Sequence, residues 1–217
     1  MSESTEAISR GLIEYLAART AGDDAFLRDL KAAARAAGIP TIWIPPEEGS
    51  LLQILLRVAR AREVVEVGTL AGYSAIWMAR ALPADGRVRT IELSPAHAAF
   101  ARAWIARSDV ASKVEVIEGR GGDVLRTIGP ASIDAVFVDA DKGGYADYAE
   151  QAARILRPGG LLLVDNAFAF GQVLDARPAD REAPAIQAFN EKLARDARFQ
   201  ALIVPIGDGL WVGARRG

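Results

Sequence analysis

Oxygen-bearing side chains follow two apolar runs in the second half of the sequence. Asp139 comes directly after residues 133–138, and Asp165 and Asn166 come directly after residues 161–164. If the two runs are neighbouring parallel strands, the three side chains meet at one edge of a sheet. Their oxygens suit Mg²⁺, and also Mn²⁺ or Ca²⁺. Two capping aspartates with surface ion pairs are the alternative, but an acid after a buried strand is costly unless paired. We therefore expect a metal site.

A lysine lies close to this predicted metal site. Lys142 follows Asp139 by three residues. Near a dication the ammonium form of a lysine is disfavoured, so its pKa would fall and the amine would serve as a general base. An exposed surface lysine is the ordinary alternative. We expect Lys142 to be the base.

A glycine turn and an acid follow two earlier apolar runs. Residues 66–74 read EVGTLAGYS, with G-x-x-x-G spacing rather than the G-x-G-x-x-G of dinucleotide binding. Such a turn lets a ligand approach the backbone, although an ordinary strand-to-helix turn is an alternative. Glu92 ends the next run, where a carboxylate can accept both hydroxyls of a ribose or simply be solvated. We expect Glu92 to hold a ribose.

The elements that must position these residues alternate from residue 63 onward. Apolar runs at 64–67, 88–93, 114–117, 133–138 and 161–164 are separated by helical segments at 73–81, 95–107, 123–128 and 145–156. This alternation predicts a doubly wound, mostly parallel sheet of the Rossmann-like α/β class. Residues 157–160 (RPGG) are predicted to form a turn.

The two ends of the chain have different patterns. Residues 1–61 are predicted to be a helical extension, in which Ala7 starts an apolar stripe, Asp23 or Asp24 caps a second helix and Ser50 caps a third after a turn at 45–49. Residues 181–197 predict a helix. Strands at 199–205 and 210–214, only four residues apart, predict an antiparallel hairpin. One domain is expected, with an α/β core over 62–217.

Composition excludes several classes of function. The 217 residues are 51% hydrophobic, and 26 basic residues face 28 acidic ones, so a nucleic-acid partner is not expected. There is no cysteine and one histidine, His97, which excludes thiolate sites and multi-histidine metal sites. No run approaches the ~18 apolar residues of a membrane span, and the N-terminus has no apolar signal core. We expect a cytoplasmic protein without membrane contact.

Together these segments resemble the cation-dependent class I O-methyltransferases that use S-adenosylmethionine, the group of catechol and caffeoyl-CoA O-methyltransferases. The resemblance covers roughly residues 40–216. It is carried by residues 66–74, 138–142 (VDADK), 158–166 (PGGLLLVDN) with Gly171, 189–190 (FN) and 205–209 (PIGDG). It implies a seven-stranded sheet with an antiparallel last strand, a small aromatic acceptor and a homodimer.

The resemblance also implies a role for each matching residue. The cofactor would be held at its methionine end by Glu66, Gly68, Thr69 and Ser74, at its ribose by Glu92, and at its adenine by Gly121, where the family usually has alanine. Asp139 and Asp141 would support the cofactor side, and Ile44 lies where the family closes the cofactor site. The metal ligands would be Asp139, Asp165 and Asn166, with Lys142 as base.

One departure leaves the acceptor open. Where family members often have a leucine–tryptophan pair, this chain has Phe168 and Ala169. Phenylpropanoid esters, small catechols and catechol groups of natural products therefore all remain candidates. A cofactor-binding regulatory module without turnover is the alternative function. A nicotinamide-dependent oxidoreductase is disfavoured by the glycine spacing and the closing hairpin.

Overall fold

A single mixed sheet of seven strands organises the chain. The computed structural model describes residues 10–217, so the predicted role of Ala7 lies outside the described residues. The strands are β1 Glu63–Val67, β2 Arg87–Glu92, β3 Val114–Glu118, β4 Ile133–Val138, β5 Leu156–Val164, β6 Phe199–Val204 and β7 Leu210–Arg215. The helices are α1 Arg10–Ala17, α2 Ala25–Ala36, α3 Pro46–Val58, α4 Tyr73–Ala81, α5 Pro95–Ile105, α6 Gly121–Thr127, α7 Tyr145–Ile155 and α8 Ala183–Ala194.

The strand order is β3-β2-β1-β4-β5-β7-β6. The pairs from β3 through β5 are parallel, and β7 pairs antiparallel with both β5 and β6. The predicted doubly wound sheet and its antiparallel last strand are therefore confirmed. The first strand, β1, lies between β2 and β4, so the strand order reverses at this point. The carboxyl ends of the strands on either side of the reversal form a crevice, where ligands bind in such sheets.

The sheet is buried on both faces, as its continuous apolar strands require. Along β4, Ala135 and Phe137 belong to the core beneath α2 to α5, whereas Val136 and Val138 belong to the opposite core beneath α6 to α8. The N-terminal helices share the first of these cores, since Leu27 and Leu52 pack in it and are almost fully buried. No helix within residues 10–217 has the length and apolar character needed to cross a membrane.

Two local predictions are wrong. The third helix begins at Pro46 rather than after Ser50, because the fixed φ of proline suits the first helical position and two acids in the first turn face the positive end of the helix. Residues 157–160 lie within β5 rather than in a separate turn. The pairing of β5 with β4 shifts between Ile133 and Ala135, so residues 157–160 bulge from the regular ladder.

Candidate active site

A cavity of about 710 Å³ lies at the carboxyl ends of the parallel strands. That volume is typical of a small-molecule site. The predicted site residues that line it are Ile44, Gly68, Thr69, Ser74, Glu92, Gly121, Asp139, Asp141, Lys142 and Asn166. The other two predicted residues, Glu66 and Asp165, are buried and are not part of its lining. We call the part formed by residues 66–74 and Glu92 the β1–β2 end, and the part formed by residues 139–142, Asp165 and Asn166 the β4–β5 end.

A glycine joins these two ends. Gly68 has φ +101°, and a Cβ there would lie 1.9 Å from the carbonyl oxygen of Asp139. The backbone of Asp139 also donates a hydrogen bond to Val67 O at 2.9 Å. Only glycine permits both the positive φ and this close approach. The first glycine of the predicted turn is thus needed to bring β1 against β4.

At the β1–β2 end, the carboxylate of Glu92 is held by two backbone amides. Leu70 N donates to Oε2 and Ser94 N donates to Oε1, both at 2.8 Å. His97 lies beside it, with Nδ1 3.8 Å from Oε1. Each carboxylate oxygen of Glu92 has further lone pairs, so the fixed group can still accept hydrogen bonds from two hydroxyls in the cavity.

Glu66 lies behind the wall that Ser74 forms. The hydroxyl of Ser74 donates to Glu66 Oε1 at 2.5 Å, and Thr69 and Thr90 share a hydrogen bond of 2.5 Å beside them. Burial raises the pKa of Glu66 to about 8. Glu66 is therefore positioned to orient Ser74 from beneath, while its other oxygen, Oε2, has no hydrogen-bond partner within the described residues.

Gly121 leaves no room for the alanine expected from the resemblance. A Cβ there would lie 2.6 Å from Val67 Cγ1 and 3.0 Å from Tyr148 Cε1. The Tyr148 hydroxyl donates to Asp141 Oδ1 at 2.6 Å, which fixes its ring. Tyr148 also lines the cavity and was not selected from the sequence, although it stands only seven residues after Asp141.

The β4–β5 end brings the predicted metal ligands and Lys142 together. Lys142 Nζ donates to Asn166 Oδ1 at 2.5 Å and to Asp139 Oδ1 at 3.3 Å. Asn166 N donates to Asp165 Oδ1 at 2.6 Å. These side chains therefore lie together at one edge of the sheet, as predicted.

Tyr145 is a partner of Lys142 that the sequence reasoning missed. Its hydroxyl accepts a hydrogen bond from Lys142 Nζ at 2.7 Å and donates to the backbone carbonyl of Asp165 at 3.2 Å. The ring is 1% exposed and packs edge-on against Phe189. The available signal was the three-residue spacing from Lys142, which places both side chains on one helical face.

Negative charge is concentrated at this end. Burial raises the pKa of Asp139 and of Asp165, and the charge of Asp139 raises that of Asp165 further. Lys142 partly offsets both effects. Residues 10–217 contain no group of three or more histidine, cysteine, aspartate or glutamate side chains arranged to hold a metal. The predicted donor set differs from such a group because it consists of two carboxylates and one amide.

The loop after Asn166 supplies the open wall of the cavity. Phe170 is half exposed and lines it, whereas Ala169 is fully buried against Ala183 and Ile186. Ala169 and Phe170 have φ of +53° and +56°, a strained pair that Phe170 N stabilises by donating to Asp208 Oδ2 at 2.8 Å. The sequence departure thus puts an aromatic ring at position 170, not 169, on the cavity. Asp180 and Glu182 line it as well.

Comparisons with known proteins match this arrangement. The family model described as "O-methyltransferase" matches residues 17–216. A catechol O-methyltransferase from Niastella koreensis is 40% identical over 84% of this chain and 83% of that protein. One from Mycobacterium tuberculosis is 37% identical over 92% of this chain and 90% of that protein.

Solved structures agree with the sequence comparisons. The crystal structure of an O-methyltransferase from Bacillus cereus in complex with SAH superposes with a TM-score of 0.85 at 32% identity, over 95% of this chain and 97% of that chain. The match spans the sheet, the cavity and both ends of the site. The chain therefore belongs to the O-methyltransferase family and is an S-adenosylmethionine-dependent O-methyltransferase.

Proposed function

We propose that this enzyme methylates a hydroxyl of a catechol-type acceptor, which a divalent cation at the β4–β5 end holds, with Lys142 as general base. The observation that carries the proposal is the meeting of Lys142 with Asp139, Asp165 and Asn166 at the end of a cavity large enough for cofactor and acceptor. Relatives named catechol O-methyltransferase support the choice of acceptor class.

The donor set fits a hard divalent cation. Asp139 and Asp165 are crowded carboxyls whose pKa values are raised by burial, and the charge of Lys142 lowers the pKa of each. A cation bound by these carboxylates and by the amide oxygen of Asn166 would offset the excess of negative charge. When bound, such an ion supplies electrostatic stabilisation of an acceptor oxygen that has lost its proton.

As a neutral amine, Lys142 would take the proton of the reacting hydroxyl. Lys142 lines the cavity, and its Nζ is oriented by the Tyr145 hydroxyl at 2.7 Å. Nζ is also bonded to the amide oxygen of Asn166. If the amide oxygen of Asn166 bound a cation instead, Nζ would lose this hydrogen bond and would be available to a hydroxyl in the cavity. Tyr145 then keeps the amine in place for proton transfer.

The β1–β2 end would hold the methyl donor. Glu92 offers two fixed oxygens to the ribose hydroxyls, while Ser74 and the backbone around Gly68 and Thr69 line the methionine portion. Gly121 would lie beside the adenine, Asp141 would support the cofactor side, and Ile44 would close the site from the segment before α3; all three line the cavity. Because the donor carries an already activated methyl group, the protein's contribution is orientation and charge.

We propose a homodimer because the family resemblance implies one, and exposed apolar side chains on α1 and α3 support it. Leu12, Ile13 and Tyr15 of α1 are about half exposed, as is Ile54 of α3, and Val58 of α3 is more so. Apolar side chains concentrated on two neighbouring helices favour association. Sedimentation velocity would test this: a monomer at micromolar concentration would contradict it.

Turnover tests the proposed reaction. Methyl transfer from S-adenosylmethionine should occur with catechol in Mg²⁺, should disappear in EDTA, and should be at least ~100-fold slower with phenol, which lacks the second hydroxyl. Equal turnover of catechol in Mg²⁺ and in EDTA would contradict the cation's role. Turnover of phenol at the rate of catechol would contradict the acceptor class.

A further inference from the structure

A buried glutamate near the β4–β5 end has no partner and no role in the mechanism above. Glu48 lies in the first turn of α3 and is 0% exposed. Within the described residues, neither of its carboxylate oxygens has a hydrogen-bond partner. Leaving a buried polar group unpaired is unfavourable, and more so for a charged group, so such a group calls for a ligand or a water molecule to explain it.

The closing hairpin seals this carboxyl against the strand ends. Gly207, in the turn between β6 and β7, passes so close that a Cβ there would lie 2.3 Å from Glu48 Oε2. The next residues bind the loop that follows Asn166: Phe168 N donates to Asp208 O and Ala167 N donates to Gly209 O, both at 2.8 Å. The hairpin therefore fixes Glu48 next to the segment that carries the proposed metal ligands.

The electrostatic surroundings of Glu48 point in the same direction. Burial is the largest cause that raises its pKa, to about 10, and the charges of Asp165, Asp139 and Asp208 follow in that order. These three largest electrostatic influences are all acidic. The amine at this end, that of Lys142, is bonded to Asp139, Asn166 and Tyr145 instead. Glu48 thus faces the same unbalanced negative charge as the proposed ligands.

We propose that Glu48 is a further acidic group of the cation site, and that its carboxyl oxygens accept hydrogen bonds from the water molecules that a divalent cation at Asp139, Asp165 and Asn166 retains. This inference rests on the proposed function. Mg²⁺ characteristically keeps several of its waters, and buried acceptors around them orient the ion and raise its affinity. Glu48 would be a positioning residue that lies far from the ligands in sequence, on α3.

Mn²⁺ binding tests the inference without activity. The dissociation constant of Mn²⁺ would be measured by electron paramagnetic resonance on the protein saturated with S-adenosylhomocysteine. Glu48→Gln keeps the shape of the side chain but cannot ionise, and should weaken Mn²⁺ binding at least ~10-fold. Glu47→Gln removes the same charge one residue away, and should stay within ~2-fold of wild type. An unchanged affinity in Glu48→Gln would overturn the inference.

Asp139→Ala separates this inference from the proposed function. If Asp139→Ala abolishes Mn²⁺ binding while Glu48→Gln binds like wild type, only the role of Glu48 is wrong. If wild-type protein binds no Mn²⁺, or Asp139→Ala binds it fully, the proposed cation site fails, and the role of Glu48 with it. Affinity for S-adenosylhomocysteine should be unchanged in Glu48→Gln, which shows that the variant is folded.

A measurement on wild-type protein needs no variant. In a crystal grown with Mn²⁺ and S-adenosylhomocysteine, the anomalous peak should lie about 4–5 Å from a carboxylate oxygen of Glu48, the span of one bridging water. A peak more than about 7 Å from both oxygens would overturn the inference, even if Glu48→Gln fails to fold.

Discussion

The acids at the two ends of the cavity are held in opposite ways. At the β1–β2 end, Glu92 accepts hydrogen bonds from two backbone amides at 2.8 Å, and His97 Nδ1 lies 3.8 Å from one of its oxygens. At the β4–β5 end, burial raises the pKa of Asp139 and of Asp165, the charge of Asp139 raises that of Asp165 further, and Glu48 has no hydrogen-bond partner among the described residues.

This difference indicates what each end is built to bind. Backbone amides fix Glu92 before any ligand arrives, which suits an uncharged group such as a ribose that only needs oriented acceptors. Crowded carboxyls are unfavourable until a positive charge joins them, which suits a cation. Glu92 is therefore oriented before a ligand binds, whereas a bound cation would offset the negative charge of the carboxyls at the β4–β5 end.

Removing a proposed metal ligand should break the β4–β5 end alone and have the largest effect. Asp165→Ala is expected to lower kcat/KM for catechol in Mg²⁺ by at least ~10³-fold, because the acceptor loses its anchor. Its affinity for S-adenosylhomocysteine, measured by calorimetry, should change less than ~3-fold. The exposed Asp175 on the following loop provides the control Asp175→Ala. Full activity of Asp165→Ala in metal-depleted buffer would contradict the metal role.

Removing the base should have the next largest effect. Lys142→Met keeps the length of the side chain without an amine and is expected to lower kcat by ~10²–10³-fold, the usual contribution of a general base. Lys192→Met, at an exposed position on α8, should leave kcat unchanged. Rates should be followed from pH 6 to 9. A wild-type rate and pH profile in Lys142→Met would mean that another group takes the proton.

Disrupting the β1–β2 end should weaken cofactor binding without affecting the cation. Glu92→Ala is expected to weaken S-adenosylhomocysteine binding ~10–100-fold, since hydrogen bonds to a charged group contribute about 1.5–3 kcal/mol. Glu118 occupies the matching position on β3, so Glu118→Ala is the control and should bind normally. Mn²⁺ affinity should be the same in both variants. Undiminished cofactor affinity in Glu92→Ala would refute the ribose assignment.

The smallest expected effect is on the pH dependence of stability. The pKa of Glu66 rises from 4.5 to about 8 on folding, so its stabilising contribution is complete below pH 4.5 and is lost as pH rises toward 8. The Gln side chain of Glu66→Gln does not titrate. Between pH 5 and pH 8 the free energy of unfolding of wild type should therefore fall by at least ~1 kcal/mol more than that of the variant. Urea unfolding at both pH values measures this. Parallel losses in the two proteins would contradict it.

The sequence predicted the elements well because its periodicity is strong where the sheet is buried. Apolar runs of four or six residues identified β1 to β4, and the four-residue gap identified the hairpin. The starts of elements were harder to predict. Pro46 was assigned to a turn, although proline is favourable at the first position of a helix, and the bulge before Leu161 left no periodic signal.

The site residues divide in the same way. Strand ends are fixed by topology, so Glu92, Asp139 and Asn166 could be placed on the cavity from the sequence. Side chains that approach from other elements could not. Tyr145 depends on the start of α7, and Glu48 depends on how α3 packs against the hairpin that carries Gly207. Such contacts are long-range and have no local pattern.

The binding of catechol to the protein loaded with S-adenosylhomocysteine tests the central claim most directly. Calorimetric titration of wild type and Asp165→Ala, each with Mg²⁺ and with EDTA, asks whether a cation at the β4–β5 end holds the acceptor. We predict that catechol binds only to wild type in Mg²⁺, while S-adenosylhomocysteine binds in all four conditions. Catechol binding of equal affinity in EDTA, or to Asp165→Ala, would contradict the account.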